Sequence, residues 1–145
     1  MYRIRKLFTV AAAHKLTSAY SKCCTEQIHG HTYLIEVFLK SQTLDKTGMI
    51  LDFGQLKDIL GDEIEKFDHA LLLDEQDLVI TEELKKSNKN LILLPYNPTA
   101  ENMAADLFHR IRHKLGNDLH HLLEKVRVHE SPTGWAEYSN STLGW

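Results

Sequence analysis

The 145-residue chain predicts an α+β domain, a four-stranded antiparallel sheet with two helices inserted between its hairpins. Three observations carry that expectation. Residues 2–13 and 31–41 are rich in β-branched and aromatic side chains, as strands are. Two central stretches place apolar residues at helical spacing behind capping residues. Residues 122–130 and 134–140 then alternate around the turn Ser131-Pro132-Thr133-Gly134. The order β-β-α-α-β-β runs without repeat or linker, so one domain is expected over 1–145.

Each element has a local reason. In the second strand Tyr33, Ile35, Val37 and Leu39 share one face, and Leu34, Glu36, Phe38 and Lys40 share the other. Both faces are partly apolar, which suits helices on one side and a neighbouring subunit on the other. Asp45-Lys46-Thr47-Gly48 is a turn, after which Met49-Ile50-Leu51 is expected to close a hairpin. Asp52 is an N-cap with Gln55 as its capping-box partner, and Leu56, Ile59, Leu60, Ile64 and Phe67 form the stripe of a helix ending near Phe67. Residues 70–97 read as connecting structure with a short helix at 81–86. Thr99 caps the second long helix, Glu101 sits at its positive end, and Met103, Leu107, Ile111 and Leu115 line one face until Gly116-Asn117 stops it. Four strands leave open edges, so a homo-oligomer that pairs or covers them is expected.

Composition removes several classes of function. Seventeen Lys+Arg against twenty Asp+Glu give a net charge of -3, without the basic footprint of a nucleic-acid binder. The longest apolar runs, such as Leu91 to Leu94, are far too short to span a bilayer, so no membrane partner is expected. The basic start Met1-Tyr2-Arg3-Ile4-Arg5-Lys6 leads into no secretory apolar region. Cys23 and Cys24 are adjacent, a poor basis for a structural disulfide, and a reducing cytoplasm is the expected setting.

Nine histidines are many for this length. His29-Gly30-His31 enters the second strand, where residues two apart point to one face and can converge on one ion. His14 ends the first strand after Ala11-Ala12-Ala13, and a hairpin across 15–28 brings it beside that pair. Three neutral imidazoles with an open fourth position describe a catalytic zinc site, so Zn2+ is the expected cofactor. His-Gly-His alone is as often a chance loop sequence as a ligand pair. His109 and His113 are four apart on the second helix, but Arg110, Arg112 and Lys114 surround them and no Glu follows His109. They read as a solvated face, and His120-His121 as residues that suit a helix C-terminus.

Six segments then matter together: Phe8-to-His14, His29-Gly30-His31-Thr32-Tyr33, Gly48-Met49-Ile50-Leu51-Asp52-Phe53, Phe67-Asp68-His69-Ala70-Leu71-Leu72, Asn97-Pro98-Thr99-Ala100-Glu101-Asn102 and Val128-His129-Glu130-Ser131-Pro132-Thr133. In this order they resemble the 6-pyruvoyl-tetrahydropterin synthase family, including its bacterial 6-carboxy-5,6,7,8-tetrahydropterin synthase branch. The resemblance implies the tunnelling fold (T-fold), with subunits sharing active sites around a barrel, commonly as hexamers built from trimers. It implies zinc on His14, His29 and His31, an Asp68-His69 acid/base pair, and Glu130 as the anchor of a small-molecule pterin substrate. Read without it, Asp68-His69 is more often a cap or turn and Glu130 a solvated carboxylate. Thr99 and Glu101 read as helix capping, with an approach to the pterin left open.

The thiol position departs from the family pattern. The queuosine-branch spacing Cys-x-x-x-His-Gly-His would put Cys at Thr25. Here four residues separate Cys24 from His29 and five separate Cys23, the latter closer to the animal synthases. Glu26 stands in Glu-x-x-His-Gly-His, which resembles members that use Glu in place of the thiol. Cys23 is taken as the catalytic thiol, with Cys24 and Glu26 as alternative proton-transfer residues. The ending Ser131 to Tyr138 resembles the queuosine branch. The implied activity is therefore a zinc-dependent lyase converting 7,8-dihydroneopterin triphosphate to 6-carboxy-5,6,7,8-tetrahydropterin, with release of acetaldehyde and triphosphate. Alternatives are triphosphate elimination to 6-pyruvoyl-tetrahydropterin, side-chain cleavage to 6-hydroxymethyl-dihydropterin, and a catalytically inactive pterin- or zinc-binding member.

Overall fold

A computed structural model describes residues 1–140, so the last five residues of the expected 1–145 domain lie outside the described residues. The elements are β1 (Tyr2–His14), α1 (Lys22–Glu26), β2 (His29–Ser41), α2 (Phe53–Glu65), β3 (Ala70–Asp74), α3 (Glu82–Ser87), β4 (Leu91–Leu94), α4 (Ala100–Leu119), a 3-10 turn His120–Leu122, β5 (Leu123–His129) and β6 (Trp135–Tyr138). The α+β class and the inserted helices are as expected. The sheet is larger than expected, with six strands in the order β4-β3-β1-β2-β5-β6.

The two extra strands come from 70–97, expected to be mostly connecting structure. β3 and β4 run parallel to β1 and to each other. Ala70, Leu71, Leu72 and Leu73 are all buried, so the run has no apolar–polar alternation to mark it as a strand. Met49-Ile50-Leu51 differs in the other direction and forms no strand. Asp45 accepts from the N–H groups of Thr47 and Met49, and the chain passes directly to the Asp52 cap. There the carboxylate takes the N–H groups of Gly54 and Gln55 and satisfies two orphan donors of α2.

β1 and β2 form a long antiparallel hairpin, in register from Tyr2 opposite Ser41 to His14 opposite His29. Tyr33, Ile35, Val37 and Leu39 face the helices and are fully buried, in one cluster with Leu56, Leu60 and Ile64 of α2 and Met103, Leu107 and Ile111 of α4. Each such aliphatic side chain contributes roughly 1.5–3 kcal/mol by leaving water. Thr99 caps α4 through the Asn102 N–H, and Gly116 breaks its helical backbone at φ 67. That left-handed conformation favours glycine, and it lets the chain turn back toward β5. On the other face of the sheet Glu36 is buried between Arg5 (2.8 Å) and Arg127 (3.1 Å). No helix among the described residues is long and apolar enough to cross a membrane.

Candidate metal centre

The long hairpin fixes the histidines before any ligand is considered. Directly opposed residues of an antiparallel pair share a face, so His14 and His29 point together, and His31 lies two residues along on the same side. The ligand atoms of the three lie within 4.8 Å of one another, and they are the one such group of His, Cys, Asp or Glu among the described residues.

Their ring nitrogens can be assigned from the partners. His14 Nδ1 lies 2.8 Å from the Pro98 carbonyl and His29 Nδ1 lies 3.1 Å from the Gln27 carbonyl. A carbonyl can only accept, so each Nδ1 carries a proton, and in the neutral ring that a metal ligand requires each Nε2 holds a lone pair. Yet these two Nε2 atoms face each other at 3.1 Å. His31 Nε2 is buried with no hydrogen-bond partner. Lone pairs converging on an orphaned nitrogen are unfavourable alone and are resolved by a cation between them. Burial is the main influence that pushes the His14 and His31 imidazoles below their ordinary pKa. They are thereby kept neutral, as ligands must be. The donor set is three neutral nitrogens, and it fits Zn2+.

Surrounding groups complete the site. Tyr33 is fully buried two residues beyond His31, with its hydroxyl 3.1 Å from His14 Nδ1. Burial raises its pKa above the ordinary phenol range, with the Glu130 and Cys24 charges adding. Glu130 Oε1 stands 3.7 Å from His31 Nε2. Its backbone N–H donates to the Gly134 carbonyl, which closes the turn between β5 and β6 and fixes its position. A cleft of about 350 Å3 opens beside it, lined also by Leu16, Thr99, Glu101, Ser131 and Trp135. Thr99 and Glu101 were read chiefly as capping residues. The helix terminus they cap is also a wall of this cleft.

Asp68 and His69 lie elsewhere. Asp68 accepts from the Ala11 N–H (2.8 Å) and from His69 Nδ1 (2.9 Å). The Ala11 N–H is the leading cause that holds the Asp68 carboxyl below its ordinary range. His69 takes a left-handed backbone, φ 56, with its N–H on the Ala11 carbonyl. That conformation costs a non-glycine residue roughly 1–2 kcal/mol. The His69 side chain is 82% exposed and shares a shallow depression with Ala11, Ala12, Ala13, Gly30, His31 and Thr32. Strand alternation turns Ala11, Ala13, Gly30 and Thr32 away from the imidazole face, so the depression runs along the strand edge between the two faces.

The thiol loop is the least constrained part. α1 is a single turn with no buried residue and no side-chain cap, held where the Leu16 N–H meets the Cys24 carbonyl at 2.8 Å. Cys23 and Glu26 are exposed and Cys24 is half-buried, with the two sulfurs 3.7 Å apart. Burial, then Cys23 and Glu130, push the Cys24 thiol up. Cys24, Glu130 and Tyr33 therefore share one electrostatic neighbourhood.

Residues 3–141 match the family model for 6-pyruvoyl tetrahydropterin synthase. The chain belongs to that family. A curated relative from Haemophilus influenzae, 6-carboxy-5,6,7,8-tetrahydropterin synthase, is 34% identical over 95% of this chain and 99% of its own. Among solved structures, an uncharacterized protein of Wolinella succinogenes superposes with a TM-score of 0.80 at 20% identity, covering 96% of this chain and 98% of that one. A Plasmodium vivax 6-pyruvoyltetrahydropterin synthase, solved with its catalytic glutamate replaced by cysteine, gives 0.72 at 17% identity, covering 95% and 98%. These likenesses establish the tunnelling fold and a lyase-type pterin synthase family.

Proposed function

We propose that the protein converts 7,8-dihydroneopterin triphosphate to 6-carboxy-5,6,7,8-tetrahydropterin, releasing acetaldehyde and triphosphate, as a zinc enzyme of queuosine biosynthesis. The observation that carries this reading is the 3.1 Å approach of the His14 and His29 Nε2 atoms, with the orphaned His31 Nε2 beside the Glu130 carboxylate. The choice of branch rests on the Haemophilus influenzae relative named for that product.

His14, His29 and His31 would hold the zinc, which when bound supplies Lewis acidity toward the substrate's side-chain hydroxyls. Glu130 would orient the ring, its carboxylate accepting two N–H bonds from the aminopyrimidinone edge in the cleft with Thr99 and Glu101. Asp68 keeps the His69 proton on Nδ1, which leaves Nε2 free to accept or return a proton. Because the His69 ring is 82% exposed and stands outside the cluster of three imidazoles, it would serve the site of a neighbouring subunit. This is the physical case for sites at subunit interfaces of a homohexamer. Cys23 would be the second proton-transfer group, with Cys24 and Glu26 as the alternatives. The two free thiols suit a reducing cytoplasm.

A second reading has its own support. The catalytic residue of the Plasmodium vivax relative is a glutamate, so a carboxylate can do this work in the family. Glu26 would do it here, with 6-hydroxymethyl-dihydropterin as the product. The test is mass spectrometry of the products after incubating zinc-loaded protein with dihydroneopterin triphosphate. 6-Carboxy-tetrahydropterin with acetaldehyde is the expected outcome. A pyruvoyl or hydroxymethyl product would replace the assignment.

A further inference from the structure

The vicinal thiols of α1 are separate from the histidine cluster and have a geometry of their own. Their sulfurs stand 3.7 Å apart, one exposed and one half-buried. Adjacent Cα atoms are about 3.8 Å apart, below the ~4.4–6.8 Å that an unstrained disulfide spans. Covalent closure therefore needs backbone movement. Chelation needs none. With Zn–S bonds of about 2.3 Å and a tetrahedral angle, two thiolates on one zinc ion stand about 3.8 Å apart. The observed separation already matches that bite.

We propose that Cys23 and Cys24 form a second cation site, a two-thiolate chelate for a soft tetrahedral ion such as Zn2+ or Cd2+. Water fills the remaining positions. Charge favours a cation here, since Glu130 already bears on Cys24 and Glu26 follows on the same turn. α1 buries no residue, so the turn can adjust around the ion without disturbing the core. The two sites differ in kind: neutral nitrogens on paired strands, and sulfurs on a single turn that buries no residue. An ion held by both sulfurs engages each thiol, so an excess of a soft metal would withdraw whichever of them moves protons. The proposal does not depend on which that is.

Cd2+ is the probe, because sulfur-to-cadmium charge transfer absorbs in the ultraviolet and imidazole ligation does not produce that band. Reduced, metal-free full-length protein is titrated under a phosphine reductant. The wild type should take two Cd2+ per chain, with the band rising as one of them binds. His29→Ala should bind one and keep the band. The Cys23→Ser/Cys24→Ser double variant should bind one and lose it, with its circular dichroism unchanged. Absence of the band from the wild type and His29→Ala would overturn the proposal, as would a band that appears only when the chains cross-link in pairs through cadmium. Neither result bears on the product assay, so a failure here is distinguishable from a failure of the enzymatic reading.

Discussion

The two ends of the loop 15–28 are built differently. At its base stand His14 and His29, opposed across a 13-residue hairpin, each with Nδ1 tied to a carbonyl. Between them is a five-residue helical turn with no buried side chain. The imidazole positions are set by strand register, and the carbonyls of Pro98 and Gln27 hold two of the rings in place. The thiol positions are set by a few backbone bonds, which can slide by a residue at little cost. A proton-transfer group in this loop could therefore shift by a residue while the three histidines stay in place.

The sharpest way to break that contrast is at the rigid end. His29→Ala should empty the histidine site, removing about one zinc ion per chain and leaving at most an ion held by the thiol pair. Activity should fall by more than about 10³-fold, since a Lewis acid supplies several kcal/mol of charge stabilisation. The fold should survive, because the core cluster does not include His29. Metal analysis beside a circular dichroism melt checks both halves. Undiminished metal in the variant would remove His29 from the site.

At the loose end the effects should be large but selective. Loss of a general acid/base group costs about 10²–10⁴-fold. Cys23→Ala should show that loss with zinc intact, while Cys24→Ala and Glu26→Gln retain most of the turnover. The structure makes this a close contest, because the half-buried Cys24 shares the charge environment of Glu130 and Tyr33. A dead Cys24→Ala beside an active Cys23→Ala would move the role by one residue. Normal turnover in both, with Glu26→Gln inactive, would establish the carboxylate mechanism.

Glu130 belongs to the rigid side, and its test is affinity. Gln keeps the shape but presents a donor where the pterin edge also donates. Loss of two charge-assisted bonds should weaken binding by roughly 2–5 kcal/mol. Pterin titration of Glu130→Gln reads this directly, and unchanged affinity would take Glu130 out of the pocket.

The same contrast decides what the sequence could disclose. His14, His29 and His31 were legible because strand periodicity converts spacing into direction, and β1–β2 register did the rest. Leu56, Leu60 and Ile64, or Met103, Leu107 and Ile111, were legible for the corresponding helical reason. β3 and β4 were not, because Ala70 to Leu73 is buried throughout and such a run lacks a period. The reading of Asp68-His69 and Glu130 as site residues needed the family resemblance, since no local pattern marks them. The Pro98 and Gln27 carbonyls that orient the ligands are backbone groups, and sequence carries no signal for them.

Tyr33 is the residue of which pattern alone shows only half, since it stands first in the apolar row Tyr33-Ile35-Val37-Leu39 and reads as core. It is core, at 0% exposure, but its hydroxyl lies 3.1 Å from His14 Nδ1. The His14 N–H is thus shared between that oxygen and the Pro98 carbonyl at 2.8 Å. Outer partners of a metal-bound imidazole are worth about 10–100-fold in metal affinity. Since Pro98 remains to hold the ring, Tyr33→Phe should fall near the lower bound, about 10-fold weaker zinc, with packing preserved. Competition against a chelator of known affinity measures it. A loss near 100-fold would make the hydroxyl the principal orienting group of His14. An unchanged affinity would mean that the Pro98 carbonyl alone sets the tautomer and that the rigidity of this end comes entirely from the backbone.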